Sequence, residues 1–190
     1  MTSGSGLWIA LALVGVVLLF STSPEPITEP KAIQSVDLER YIGKWYSIAH
    51  IPTSFEAGCV SGTTANYSLQ PDGKIEVLNE CYDKRGALKV ARGTAWVPNP
   101  EKSAKLKVSF VRAFGVPLFA GDYWIIDLAP DYSYAVVGHP TRKFGWILSQ
   151  TPILPDDKLQ QIKSALEAQG YDWTSFQLID QSINVVGSGF

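Results

Sequence analysis

The sequence predicts an all-β fold in which eight antiparallel strands close into an up-and-down barrel, with one C-terminal α-helix packed outside it. Short segments of alternating apolar and polar residues, separated by Gly, Pro, Asn and Asp, extend from residue 43 to residue 151. A single segment of helical periodicity follows at residues 155–170, and its apolar stripe needs a sheet to cover. Eight strands can enclose one small ligand, so the predicted fold includes a cup.

The strands are predicted from alternation and from turn residues. They cover residues 43–50, 63–69, 74–82, 87–97, 104–110, 123–128, 134–138 and 144–151, and a final extended piece is predicted at 176–182. The clearest hairpin turns at residues 70–73, where Pro, Asp and Gly supply the turn chemistry. Its register places Tyr67 opposite Val77 and Ala65 opposite Asn79, all on one face.

The chain has 190 residues, which is room for one domain after a leader. Residues 1–23 lack ionisable side chains and contain an apolar run at 7–20, which predicts a signal peptide or an N-terminal membrane anchor. Residues 24–35 are Pro-rich and are predicted to form a tether. The folded domain is predicted at residues 36–182 and a C-terminal tail at 183–190. Either form of the leader predicts export, to the periplasm, to the outer membrane, or to the cell exterior as a secreted or anchored protein.

Composition excludes several classes of function. A formal net charge of −2 and a pI near 5.7 provide no broad positive field, so no nucleic-acid partner is expected. His50 and His139 lie far apart without a second ligand nearby, so no metal site and no cofactor is expected. Asp156 and Asp157 suit a helix N-terminus better than an acid/base pair, and no catalytic motif is visible.

Cys59 and Cys81 are the only cysteines, and in an exported protein a disulfide is the expected state. The hairpin register places Cys81 opposite Thr63, four residues from Cys59, so a bridge is geometrically reasonable. One alternative stays open: if the thiols are free, Cys81 on the same strand face as Asn79 is a thiolate candidate in an isomerase-type enzyme.

Two motifs carry a family resemblance. Gly43-Lys44-Trp45-Tyr46 resembles the first lipocalin motif, in which the Trp plugs the closed end of the barrel, and Asp131-Tyr132 resembles the second. With further matches across residues 36–181, the chain resembles the bacterial lipocalin and apolipoprotein D branch. The third motif usually supplies an Arg across the motif-one indole, but here Gln150 stands there, so a weaker closure without cation-π stacking on Trp45 is expected.

The resemblance implies a binding protein without catalytic residues. Strand parity predicts seven inward side chains for ligand contact: Tyr67, Val77, Asn79, Val108, Phe110, Tyr123 and Trp146. The family resemblance places ligand contacts at four of them, Tyr67, Asn79, Phe110 and Trp146. The expected ligand is a fatty acid, a lysophospholipid or a similar apolar small molecule, bound for transport, storage or membrane maintenance.

A second alternative is a membrane-tethered interaction protein whose barrel is solid, in which the inward aromatics merely fill a core. The apolar segment 113–120 is expected to be a loop that serves as a lid, as a membrane contact or in self-association. Sequence alone does not choose among these roles, and it predicts no oligomeric state.

Overall fold

The computed structural model describes residues 28–182, so the predicted leader and tail lie outside the described residues. Eight long strands form one antiparallel sheet that closes because the last of them pairs with the first. The predicted all-β barrel is therefore confirmed. Its strands are β1 (Gly43–His50), β2 (Ser61–Leu69), β3 (Ile75–Tyr82), β4 (Leu88–Trp96), β5 (Lys105–Ser109), β8 (Gly121–Leu128), β9 (Tyr134–Gly138) and β10 (Gly145–Ser149). Two short strands between β5 and β8, β6 (Val111–Ala113) and β7 (Val116–Leu118), form a separate two-stranded sheet.

The β2–β3 hairpin has the predicted register. Tyr67 pairs with Val77, and Ala65 pairs with Asn79. The register shifts between Ser61 and Thr64, which leaves two residues of β2 opposite Cys81 rather than the single Thr63 expected. This bulge is centred on a left-handed glycine, Gly62 at φ 61°, and bends the strand end toward the incoming loop.

The helix α2 (Asp156–Ala168) lies outside the barrel, as predicted. It buries Ile162 and Leu166 against a second apolar cluster on the outer faces of β8, β9 and β10, which includes Trp124, Val136 and Ile147. These strands are buried on both faces, and this explains why their sequences are almost continuously apolar. The helix thereby covers one wall of the barrel.

The barrel has one closed and one open end. At the closed end, the one-turn helix α1 (Leu38–Tyr41), capped by Asp37, precedes β1 and lies over the barrel base. The opposite end, called the mouth, is surrounded by four mouth loops at residues 51–60, 83–87, 110–120 and 139–144. Short 3-10 helices occur at Ser54–Glu56, Pro100–Lys102 and Trp173–Ser175.

Two further elements refine the prediction. The segment expected as a loop at 113–120 takes part in a β-hairpin, β6 (Val111–Ala113) and β7 (Val116–Leu118), which stands beside the mouth. Sequence did not reveal it because the turn uses Phe114 in a left-handed conformation, φ 50°, which a bulky residue seldom adopts. Within the predicted final piece, β11 (Gln177–Leu178) pairs with β1.

Residues 28–35 are extended and lie along the outside of the barrel. The Ile33 amide donates to the Ile125 carbonyl at 2.9 Å, and the Lys31 amide donates to Gln169 Oε1 at 2.8 Å. This part of the predicted tether is thus held on the barrel surface, while the domain boundary at residue 36 stays a prediction. No helix among residues 28–182 has the length and apolar character needed to cross a membrane.

Candidate binding site

The barrel encloses a cavity of about 560 Å³ that opens at the mouth. Its wall is mostly apolar and includes Ile75, Val77, Leu106, Val108 and Leu148. A volume of this size lies within the roughly 300–1,000 Å³ range of small-molecule sites in proteins. The barrel is therefore hollow, and the alternative of a solid barrel does not hold.

All seven residues predicted to face inward line this cavity: Tyr67, Val77, Asn79, Val108, Phe110, Tyr123 and Trp146. They come from five strands and from the residue that follows β5, and the pleat of each strand directs alternate side chains inward. Their contact with a ligand stays a prediction. Phe110 fits because Gly93 faces it: a Cβ at Gly93 would come within 2.8 Å of the Phe110 ring.

Three tyrosine hydroxyls form a connected group at the cavity floor. The Tyr123 hydroxyl lies 2.8 Å from that of Tyr41 and 2.9 Å from that of Tyr67. Burial raises the pKa of Tyr67 to about 12, and it also raises the pKa of Tyr41 and of Tyr123. The three phenols therefore stay neutral at physiological pH and satisfy one another, which makes the floor polar but uncharged.

Two polar atoms in the cavity wall have no hydrogen-bond partner among the described residues, Asn79 Oδ1 and Ser47 Oγ. Asn79 pairs across the strands with Ala65 and Ala91, whose small side chains leave space beside its amide. An unpartnered buried polar atom costs about 1–3 kcal/mol, so the wall is poised to bind a polar group of a ligand or a water molecule.

At the mouth, Glu56 holds Trp146 in place. Glu56 Oε1 accepts from Trp146 Nε1 at 3.0 Å, while Oε2 accepts from Thr53 Oγ1 at 2.7 Å and lies 3.1 Å from His50 Nδ1. Burial alone would raise the pKa of the Glu56 carboxyl, but the hydrogen bonds from His50, Thr53 and Trp146 outweigh it and hold the pKa below its usual value. A carboxylate therefore fixes the indole that lines the entrance.

Several cavity residues were not predicted from the sequence. Tyr41 belongs to the single-turn helix α1 and Glu56 to a 3-10 helix. Both helices are too short for an apolar periodicity that would predict which way their side chains point. Lys89 faces inward near the mouth because it pairs with Cys81. Strand parity offered a signal for Lys89, since it lies two residues from Ala91 on the same face of β4.

Cys59 and Cys81 form a disulfide, with Cα atoms 5.5 Å apart. The bridge joins the loop after β1 to the end of β3, as expected. A bridged sulfur has no thiolate, so this state removes the nucleophile that the alternative enzyme requires. Among residues 28–182, no group of three His, Cys, Asp or Glu side chains is arranged to hold a metal ion.

The closed end is packed around Trp45, which is fully buried and donates from Nε1 to the Tyr41 carbonyl at 2.8 Å. The Tyr41 ring covers it with ring centroids 5.0 Å apart. Gly43 begins the strand at φ 110°, a conformation that other residues adopt only under strain. The side chain of Gln150 is exposed at the surface, and the weaker closure expected from this residue stays a prediction.

The second motif closes the same end from another side. Asp131 Oδ1 accepts from the Ser133 amide at 3.0 Å and shapes the turn between β8 and β9. The Tyr132 hydroxyl accepts from the Asp37 amide at 3.0 Å, and the Arg40 guanidinium lies 4.0 Å from the centre of the Tyr132 ring. A cation-π contact thus exists at this end, but on Tyr132 instead of Trp45.

Comparison with known proteins agrees with this geometry. Residues 36–181 match the family model for a lipocalin-like domain. The chain is 34% identical to the outer membrane lipoprotein Blc of Escherichia coli, over 91% of this chain and 95% of that protein. It is 37% identical to mouse apolipoprotein D, over 80% of this chain and 81% of that protein.

Among solved structures, insecticyanin from the tobacco hornworm Manduca sexta superposes with a TM-score of 0.62 at 24% identity, covering 79% of this chain and 83% of that one. At this identity the similarity shows a shared fold. The hollow eight-stranded barrel, the buried Trp45 at its closed end and the match over residues 36–181 lead to one conclusion. This chain belongs to the lipocalin family.

Proposed function

We propose that this lipocalin is exported and binds a fatty acid, a lysophospholipid or a similar apolar molecule in its cup, for transport, storage or membrane maintenance. The apolar cavity of about 560 Å³ is the observation that carries the proposal. Each methylene group that moves from water into such a wall contributes about 0.8 kcal/mol, so an acyl chain supplies its own binding energy.

Charge supports a ligand bound with its head group at the mouth. Lys89 is the only Lys or Arg among the described residues that line the cavity, and it lies near the entrance. The floor carries no charge, because its three tyrosine hydroxyls are neutral and bonded to one another. A carboxylate or phosphate is therefore better placed beside Lys89, with the acyl chain directed toward Tyr67 and Tyr123.

Binding without chemistry is part of the same proposal. The Cys59–Cys81 bridge leaves no free thiol among residues 28–182. Export is supported by this disulfide, by the apolar run at residues 7–20 and by similarity to an outer membrane lipoprotein. An apolar small molecule is the proposed partner, and no cofactor enters the proposal.

Titration with hexadecanoic acid, lysophosphatidylcholine and hexadecanol, followed by Trp fluorescence and native mass spectrometry, tests the proposal. We expect one bound molecule per chain and a change in the emission of Trp146. Lys89→Gln should weaken binding of the acid about tenfold and leave binding of the uncharged alcohol unchanged. Failure of all three ligands to bind would refute the proposed function, whereas an equal loss for acid and alcohol would refute only the orientation.

A further inference from the structure

Exposed apolar side chains are concentrated beside the mouth. The turn of the β6–β7 hairpin projects Phe114 fully into solvent, and Phe119, at the end of the same hairpin, is 88% exposed. Val116 on β7 and Phe55 on the first mouth loop are also more than half exposed. Together, Phe55, Phe114, Val116 and Phe119 are called the apolar rim.

The conformation of the rim adds to the cost of this exposure. Phe114 and Phe119 adopt left-handed backbone conformations, at φ 50° and φ 53°. A bulky residue in this region is strained, and Asn or Gly would relieve the strain. Phe119 also lines the cavity, but Phe114 does not, and a ring that is strained, exposed and outside the cavity indicates a contact beyond the barrel.

The loops around the rim carry a net positive charge. The four mouth loops carry five basic side chains, namely Lys84, Arg85, Arg112, Arg142 and Lys143, against two acidic ones, Glu56 and Asp83. Glu56 is engaged by His50, Thr53 and Trp146, and Asp83 lies 3.5 Å from Arg85. The chain as a whole has a net charge of −2, so this end is positive on an otherwise acidic protein.

We infer that the apolar rim docks on an anionic lipid bilayer, so that the cup opens toward the membrane. The rings enter the interface between head groups and acyl chains, and the basic loops face the phosphates. A second copy of this chain is a poorer partner, because a two-fold contact between rims would bring the two sets of basic loops together. Docking requires the rim but not an occupied cup, so it stands apart from the proposed function.

Hydrogen exchange of the full-length chain on vesicles tests which face makes contact, even if the N-terminal run also binds lipid. With vesicles of phosphatidylcholine and phosphatidylglycerol, we expect slower exchange in the mouth loops and in the β6–β7 hairpin. The closed-end turn at residues 70–74 should be unchanged. Vesicles of phosphatidylcholine alone should protect the hairpin less. Salt near 1 M, where the Debye length is about 3 Å, should have the same effect.

Phe114→Asn isolates the rim, because Phe114 does not line the cavity. Ile153→Asn is the matched control, since Ile153 is 72% exposed but follows β10 at the closed end. We expect Phe114→Asn to weaken partitioning to anionic vesicles about tenfold and to leave binding of hexadecanoic acid unchanged. Its thermal stability should be maintained or raised, because Asn tolerates the left-handed conformation.

Three results would overturn the inference. They are hydrogen-exchange protection confined to the closed end or to α2, equal losses of partitioning for Phe114→Asn and Ile153→Asn, and a concentration-dependent dimer that protects the rim without lipid. Sedimentation velocity at several protein concentrations identifies the last of these.

Discussion

Ala91 offers a direct way to block the cup without unfolding the barrel. It faces inward on β4, opposite Asn79, and lines the cavity. Ala91→Phe places a phenyl ring in open space, and a cavity of about 150 Å³ is enough to hold benzene. One ring therefore occupies roughly a quarter of the 560 Å³ cup. Its six carbons displace about as many methylene groups of a ligand, at about 0.8 kcal/mol each, or about 5 kcal/mol in total.

We expect Ala91→Phe to weaken binding of hexadecanoic acid by about three orders of magnitude, measured by calorimetric titration. The free energy of unfolding should stay within about 1 kcal/mol of the parent, because the ring fills space that is otherwise empty. Ala168→Phe, on the exposed end of α2, is the matched control and should leave both quantities unchanged. An Ala91→Phe variant that folds normally and keeps the parent affinity would refute the placement of the ligand in the barrel.

The remaining predictions concern the disulfide, the mouth and the floor. Replacing both Cys59 and Cys81 by Ser should lower the free energy of unfolding by about 3 kcal/mol in denaturant titrations, and the parent should show no free thiol when unfolded without reductant. The pKa of the Glu56 carboxyl is lowered in the folded protein, so the stability that this carboxylate contributes is present above the usual pKa of 4.5 and is lost as the pH falls through the folded-state pKa. Glu56→Gln should lower the free energy of unfolding by about 1 kcal/mol at neutral pH and make it depend less on pH in the acid range. The pKa of Tyr67 is raised in the folded protein, so the stability that the neutral phenol contributes is complete below pH 10.0 and is lost as the pH rises toward about 12. The absorbance difference between the parent and Tyr67→Phe should therefore show phenolate formation near pH 12. Phenolate formation near pH 10 would contradict the burial of Tyr67.

The parts of the fold that sequence predicts are those governed by alternation and turn chemistry. The Asp72-Gly73 turn and the strict alternation around it set the register that pairs Tyr67 with Val77. The same alternation places the predicted inward residues in the cavity wall, because successive side chains of a strand point to opposite faces of the sheet. The helix α2 could be predicted in the same way, because the apolar residues of its buried stripe recur with the period of an α-helix.

The features that sequence does not reveal depend on loops and on short elements. Glu56 reaches Trp146 across 90 residues of chain, and only the path of the 51–60 loop brings them together. The β6–β7 hairpin lacks a polar alternation and turns at Phe114, which local preference disfavours. At the closed end, Tyr41 covers Trp45 from a helix of a single turn, too short to carry a periodic signal.

The most direct measurement of the central claim is a crystal structure of the protein grown with hexadecanoic acid. We expect continuous electron density for one acyl chain along the barrel axis, in contact with Val77, Val108 and Trp146, with its carboxylate toward Lys89 at the mouth. An empty cup with the fatty acid bound on the outer surface, at ligand concentrations that saturate the protein in solution, would contradict it.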